Sequence, residues 1–195
     1  TSIQVKEYIL QEFIPDGGAI GVYSIFNKGN LISENCHERL RQFPLSGGPS
    51  TYRRTIINKN CQTISKIILE KLKWNGVAMV EFRLHKDTKE PYLMEINPRF
   101  WGSLALDIVS GIDFPKILVK ILNNEKVDVI GQKPGIYCRW FLPGEILWYF
   151  SGGRKNISLS RFLNFRKDYF DILSRSDPLP IFGLISSLLI TIFNK

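Results

Sequence analysis

The sequence predicts an α+β domain whose core is an antiparallel sheet with flanking helices. Hydrophobic residues make up 44% and charged residues 23% of the 195-residue chain, the balance of a folded globular protein. Strand-length apolar runs are separated by turn dipeptides, and helical periods fall between some of them. The two element types do not alternate strictly, so a purely parallel βαβ sheet is not expected.

In chain order, Val5 to Ile14 is apolar and β-prone, and Pro15-Asp16-Gly17-Gly18 reads as the turn that ends it. Ala19 to Phe26 resumes as a strand, Asn27-Lys28-Gly29-Asn30 turns, and Leu31 continues the meander. Leu45 to Ser50 has neither periodicity and reads as a loop. Ile64, Ile67, Ile68 and Leu72 give Cys61 to Leu72 the spacing of an amphipathic helix, stopped by Asn75-Gly76. Val77 to Leu84 and Tyr92 to Asn97 are short strands joined by the polar segment His85 to Pro91, which has the composition of a hairpin loop. Ser103 to Ser110, closed by Gly111, and Phe114 to Leu122 read as helices. Gly135 to Phe150 reads as a strand followed by a helix. The divisions expected are 1–130 for the main domain, 131–178 for a carboxyl-terminal extension and 179–195 for an apolar tail helix.

A net charge of +8 favours acidic partners: nucleic acid, an anionic membrane surface or a phosphorylated small molecule. No nucleic-acid motif, long basic run or stacking platform accompanies it, so nucleic acid is not expected as a partner. Cys36, Cys61 and Cys138 are scattered and form no metal-ligand pattern, which points to a reduced, cytoplasmic setting. His37 and His85 lie in polar contexts and read as surface residues. Thr1-Ser2-Ile3 carries neither an initiator Met nor a signal pattern, so the chain reads as cut from a longer one.

The chemistry concentrates in Met79-Val80-Glu81-Phe82-Arg83 and Met94-Glu95-Ile96-Asn97-Pro98-Arg99. Side chains alternate along a strand, so Glu95 and Asn97 share a face. A hairpin register pairing Leu84 with Tyr92 also pairs Glu81 with Glu95. Two carboxylates placed directly opposite repel. A divalent cation removes that repulsion, and Glu81, Glu95 and the Asn97 carbonyl are hard oxygen donors suited to magnesium. Arg99 follows at once, placed for an anion held by the metal. The plainer alternative is a solvated strand face that merely flanks the hairpin.

The run Glu95-Ile96-Asn97-Pro98-Arg99, with an acid fourteen positions earlier on a strand, resembles the metal-binding signature of the ATP-grasp superfamily. The likeness is to its carbamoyl-phosphate synthetase and biotin carboxylase branch and to carboxylate–amine ligases of that type. The resemblance implies the carboxyl-terminal lobe of an ATP-grasp fold, with Glu81, Glu95 and Asn97 holding magnesium or manganese on ATP phosphates. It also implies a phosphate or acylphosphate role for Arg99. Gln11-Glu12-Phe13-Ile14 is similar to the family's hinge strand, where backbone groups at Glu12 and Ile14 would meet the adenine edge and Asp16 the ribose. Arg39-Leu40-Arg41 through Gly47-Gly48-Pro49-Ser50 resembles the loop lying over the nucleotide and second substrate.

The implied function is ATP-dependent activation of a small carboxylate as an acylphosphate for attack by an amine. Relatives carry phosphate-binding lysines in a lobe that precedes the hinge. A non-catalytic nucleotide-binding or scaffolding module is the rival expectation. The uncharged stretch Pro180 to Phe193 leaves two alternatives: packing onto its own domain or a twin subunit, and a peripheral contact with anionic lipid. At about 20 Å as a helix, it is too short to span a bilayer core of about 30 Å.

Overall fold

A computed structural model describes residues 10–128, 131–172, 177–184 and 186. Its centre is one seven-stranded sheet in the order β5-β4-β1-β2-β3-β6-β7. The strands are β1 (Asp16–Asn27), β2 (Asn30–Gln42), β3 (Ser50–Thr55), β4 (Gly76–His85), β5 (Pro91–Asn97), β6 (Tyr137–Arg139) and β7 (Asp168–Phe170). All neighbouring pairs are antiparallel except β6 with β7. The helices are α1 (Lys59–Lys71), α2 (Leu104–Ser110), α3 (Phe114–Leu122), α4 (Ile146–Phe150) and α5 (Leu159–Phe162). The expected α+β class with an antiparallel sheet is what forms.

Both faces of the sheet are covered. On one, Ile20, Val22, Phe26, Cys36, Ala78, Val80 and Phe82 pack with Cys61 and Leu69 of α1. On the other, Tyr23, Ile25 and Met79 pack with Trp101, Ile112, Phe114 and Ile117. Alternation along β1 and β4 sends neighbouring side chains into these two cores, which makes both strands central. Burying each large apolar side chain contributes about 1.5–3 kcal/mol. Asn58 caps α1 by accepting from the Cys61 amide at 3.0 Å. Gly111 closes α2 in the left-handed conformation, at φ 100°.

Several expectations need correction. Residues 10–14 are not in a strand, and Asp16 opens β1 instead of turning. The part of the expected strand at residues 5–9 lies outside the described residues. Arg39 to Arg41 belongs to β2, not to a loop; the loop begins after Gln42. The inner face of α1 is Cys61, Gln62, Ser65 and Leu69, whereas Ile67 and Leu72 face out. The β4–β5 register pairs Glu81 with Glu95, but Leu84 meets Pro91 and Arg83 meets Tyr92. A bulge at Met94 absorbs the one-residue slip.

The chain after residue 131 completes the sheet. Glu145, fully buried, accepts from Arg41 Nη1 at 2.5 Å and from the Thr51 hydroxyl at 2.8 Å, and Arg139 lies 3.6 Å away. These contacts bind residues 137–145 to β2 and β3. Of the expected tail helix, residues 179–184 and 186 are helical, and the rest lies outside the described residues. Among the described residues no helix is long and apolar enough to cross a membrane.

Candidate functional site

One transverse row of the sheet organises the site. Cross-strand pairing sets Glu95 of β5 beside Glu81 of β4, Glu81 beside Gly21 of β1, Gly21 beside His37 of β2, and His37 beside Thr55 of β3. Cross-strand partners share a face, so the row presents its side chains to the same side. Gly21 is required there: a Cβ would stand 2.5 Å from the Tyr23 hydroxyl, whose ring leans back over it.

Above this row lies a cleft of 660 Å³. Its lining includes Glu81, Glu95, Arg39, Arg53 and Arg99, with Tyr23, Trp101 and Trp140 as aromatic walls. Gly48, Pro49 and Ser50 border it from the loop before β3. A Cβ at Gly48 would collide with the Phe43 carbonyl, so only glycine lets that loop close as it does.

The acids and guanidiniums are matched. Arg39 Nη2 donates to Glu81 Oε1 at 2.5 Å, and the Glu81 residue is 8% exposed. Glu95 is exposed and accepts from Asn97 Nδ2 at 2.7 Å. Arg99 Nη2 donates to Asn97 Oδ1 at 3.3 Å and its Nη1 to the Phe100 carbonyl at 3.1 Å, which folds it back over its own loop. Arg53 is paired with Asp171 and donates to the Ser50 carbonyl at 3.2 Å. Its Nε has no partner among the described residues.

These donors fit a hard cation. Two carboxylates face each other, and turning the Asn97 amide over would set its oxygen beside Glu95. Among the described residues no cluster of three His, Cys, Asp or Glu side chains forms.

The hinge-like segment lines a second hollow of 540 Å³, formed by Gln11, Glu12, Phe13 and Ile14 with Arg83, Tyr92, Leu93 and Met94. Arg83 lies two residues along β4 from Glu81, so the hollow and the cleft share one face of the β4–β5 pair. Asp16 is outside that lining. Its Oδ1 accepts from the Gly18 amide at 3.0 Å and stands 4.0 Å from Arg83 Nη1.

Sequence reasoning missed a buried network beneath the cleft. His37, expected at the surface, is only 2% exposed. Its Nε2 lies 2.9 Å from Asp107 Oδ1, and that carboxylate, fully buried on α2, also accepts from Asn35 Nδ2 at 2.8 Å. Trp101 Nε1 donates to the other Asp107 oxygen at 2.7 Å. The Ser103 hydroxyl stands 3.4 Å from His37 Nδ1 and 3.2 Å from the Tyr23 hydroxyl. Burial pushes the Tyr23 hydroxyl well above the usual tyrosine range, so it stays neutral. Two signals in the sequence point to this network: Asn35, His37 and Arg39 alternate as polar residues on β2, and Asp107 interrupts an otherwise apolar helix.

A central antiparallel sheet that presents paired acids and arginines in one cleft agrees with the resemblance to the ATP-grasp class. The chain belongs to that family: residues 36–141 match the family model described as ATP-grasp in the biosynthetic pathway with Ter operon. The match includes β2 from Cys36 onward, the β4–β5 pair and the Glu95-to-Arg99 run. No curated protein matches the chain. Among solved structures, the fold is similar to the complete multifunctional pyruvate carboxylase from Rhizobium etli, at 14% identity and a TM-score of 0.52, covering 70% of this chain and 15% of that one. The biotin carboxylase subunit of a pyruvate carboxylase gives 19% identity and a TM-score of 0.52, covering 65% and 30%. The biotin carboxylase domain of a thermophilic 2-oxoglutarate carboxylase bound to bicarbonate gives 14% and 0.51, covering 65% and 30%. The chain thus spans between 15% and 30% of the length of these proteins.

Proposed function

We propose that the chain is the metal- and phosphate-handling part of an ATP-dependent ligase that activates a small carboxylate as an acylphosphate for attack by an amine. The observation that carries this reading is the Glu81–Glu95 pair set in one cleft with Arg39, Arg53 and Arg99. Glu81, Glu95 and Asn97 would hold magnesium or manganese, which supplies charge neutralisation on ATP phosphates. Arg99 then swings from its own loop onto the transferring phosphoryl group, where a guanidinium offers paired donors. Arg39, paired with Glu81, and Arg53, paired with Asp171, would add positive charge beside an anionic substrate.

The hollow at Gln11, Glu12, Phe13 and Ile14 would receive the adenine, with Asp16 beside it for the ribose. It continues along the sheet face that carries the metal ligands, as one extended nucleotide requires. In this division, residues 1–130 form the ATP-grasp part, 131–178 extend its sheet and 179–195 form the tail. Catalysis by such a site is electrostatic: cation and guanidinium charge is brought to where charge builds during phosphoryl transfer.

Isothermal titration of the full-length protein with ATP, with and without magnesium, tests the reading. Magnesium-dependent binding that is lost in Glu95→Gln supports it. Absence of any magnesium-dependent binding by the wild type overturns it.

A further inference from the structure

We propose that His37, seated on Asp107 and joined to the cleft by Ser103, takes up the proton that the amine loses when it attacks the acylphosphate. The inference rests on the ligase reading and gives it the base that the metal-binding run does not contain.

The hydrogen bonds admit an ordering in which His37 can accept a proton. Asp107 accepts at both oxygens, from Asn35 and His37 at one and from Trp101 at the other. With His37 Nε2 carrying the proton shared with Asp107, Nδ1 presents a lone pair toward Ser103 Oγ at 3.4 Å. The Ser103 hydroxyl donates to the Tyr23 hydroxyl at 3.2 Å; turned about its Cβ–Oγ bond it gives its one proton to Nδ1 instead and accepts from Tyr23. Tyr23, Ser103 and His37 all line the cleft that holds Glu81 and Glu95.

In the second step, the amine nitrogen bonds to the acyl carbon, and the carbon–oxygen bond to phosphate breaks with its electron pair leaving on phosphate. The surplus proton on nitrogen passes to Ser103 Oγ as the Ser103 proton moves to His37 Nδ1. The imidazolium so formed keeps its Nε2 hydrogen bond to the Asp107 carboxylate, which fixes its orientation. Ser103 touches the nucleophile; His37 acts through it. The charged groups about the ring are Asp107 from α2, Arg39 along β2, Arg53 on β3, and Glu81 on β4 beyond Gly21. Tyr23 on β1 is neutral. The buried carboxylate is the only one of these acids within hydrogen-bond distance of the ring among the described residues.

The same contacts would exist if the cluster only tied α2 to the sheet, so the test must read protonation. In full-length protein with labelled histidine, the ring nitrogens of His37, assigned by their loss in His37→Gln, are followed from about pH 5 to about pH 9. A neutral ring that carries its proton at Nε2 and leaves Nδ1 to accept is expected. A ring protonated at Nδ1 when neutral, or doubly protonated throughout, overturns the proposal. Ligation is then assayed with magnesium-ATP, hydroxylamine as the amine and a panel of small carboxylates. His37→Gln is expected to lose about 10²- to 10⁴-fold in rate, together with the acidic limb of the pH profile. Its magnesium-ATP affinity should stay within about two-fold, the range of an untouched nucleotide site. A His37→Gln enzyme with wild-type rate and pH profile overturns the assignment. If no carboxylate supports turnover by the wild type, the ligase reading fails, and the ring titration alone then decides the state of His37.

Discussion

Glu81 and Glu95 stand directly opposite each other on adjacent strands, yet only Glu81 is held by a guanidinium, that of Arg39 at 2.5 Å. Among the described residues, Glu95 has only the neutral Asn97 amide. Two like charges so placed, one neutralised and one not, form a site that gains from a cation on the Glu95 side.

Replacing Glu95 by Gln should therefore have opposite effects on stability and activity. Without metal it removes a like-charge pair, and the urea midpoint in chelator should rise by the equivalent of about 0.2–1 kcal/mol. Magnesium-dependent ATP turnover by the full-length protein should disappear. Wild-type turnover in both Glu95→Gln and Glu81→Gln would remove these residues from the metal site.

Arg39→Met keeps much of the side-chain stem but leaves Glu81 without its ion partner. A half-paired, largely buried carboxylate costs about 1–3 kcal/mol. Magnesium should restore part of that loss, because the cation replaces the missing charge. Urea melts in chelator and in magnesium measure the difference. Equal destabilisation in both conditions would mean that the cation does not reach Glu81.

Asp107→Asn places an amide where the carboxylate receives three donors, and one of its two positions can no longer accept. A loss of about 3 kcal/mol or more is expected. In a double-mutant cycle with Trp101→Phe, the two changes should be non-additive by about 0.5–3 kcal/mol, since both break one bond. Simple additivity would show that the 2.7 Å contact carries no coupling.

Burial pushes the Cys61 thiol up to about 11, and pushes the Cys36 and Cys138 thiols up further. A group whose folded form resists ionisation lowers stability as pH rises past its unfolded value. For Cys61 that window runs from its ordinary value of 9.0 to about 11. Below it the thiol is neutral in both states and contributes no slope. Unfolding free energy should thus fall across this range, and Cys61→Ala should make the decline shallower by up to about 1.4 kcal/mol per pH unit. An unchanged slope would show that the Cys61 thiol ionises as readily in the folded state as in the unfolded one.

The helices and the hairpin were legible because their signals are local. Phe114 to Leu122 matches α3, and the Glu81–Glu95 pairing follows from spacing despite the bulge at Met94. Arg39 to Arg41 was misread as loop because β2 turns a polar face to the cleft, so its charge looked like solvation. His37 was misplaced for the same reason: its partner Asp107 lies seventy residues away, and burial depends on that long-range bond. Beyond residue 131, the strand and helix read over Gly135 to Phe150 form as β6 and α4, whereas β7, with three residues, is too short for a period to show.

Arg99 sits on a short bridge moored at both ends. Asn97 is fixed by the pairing of β5 with β4, and Trp101 is fixed by its indole on Asp107. Holding a residue's backbone in place costs about 1–2 kcal/mol in entropy. Here folding has already met that cost for the few residues between the moorings. An incoming anion then needs to order only the side chain, which turns an exposed arginine into a short-throw arm with a defined radius. Lengthening the bridge, even with no residue of the site altered, would weaken its grip on phosphate.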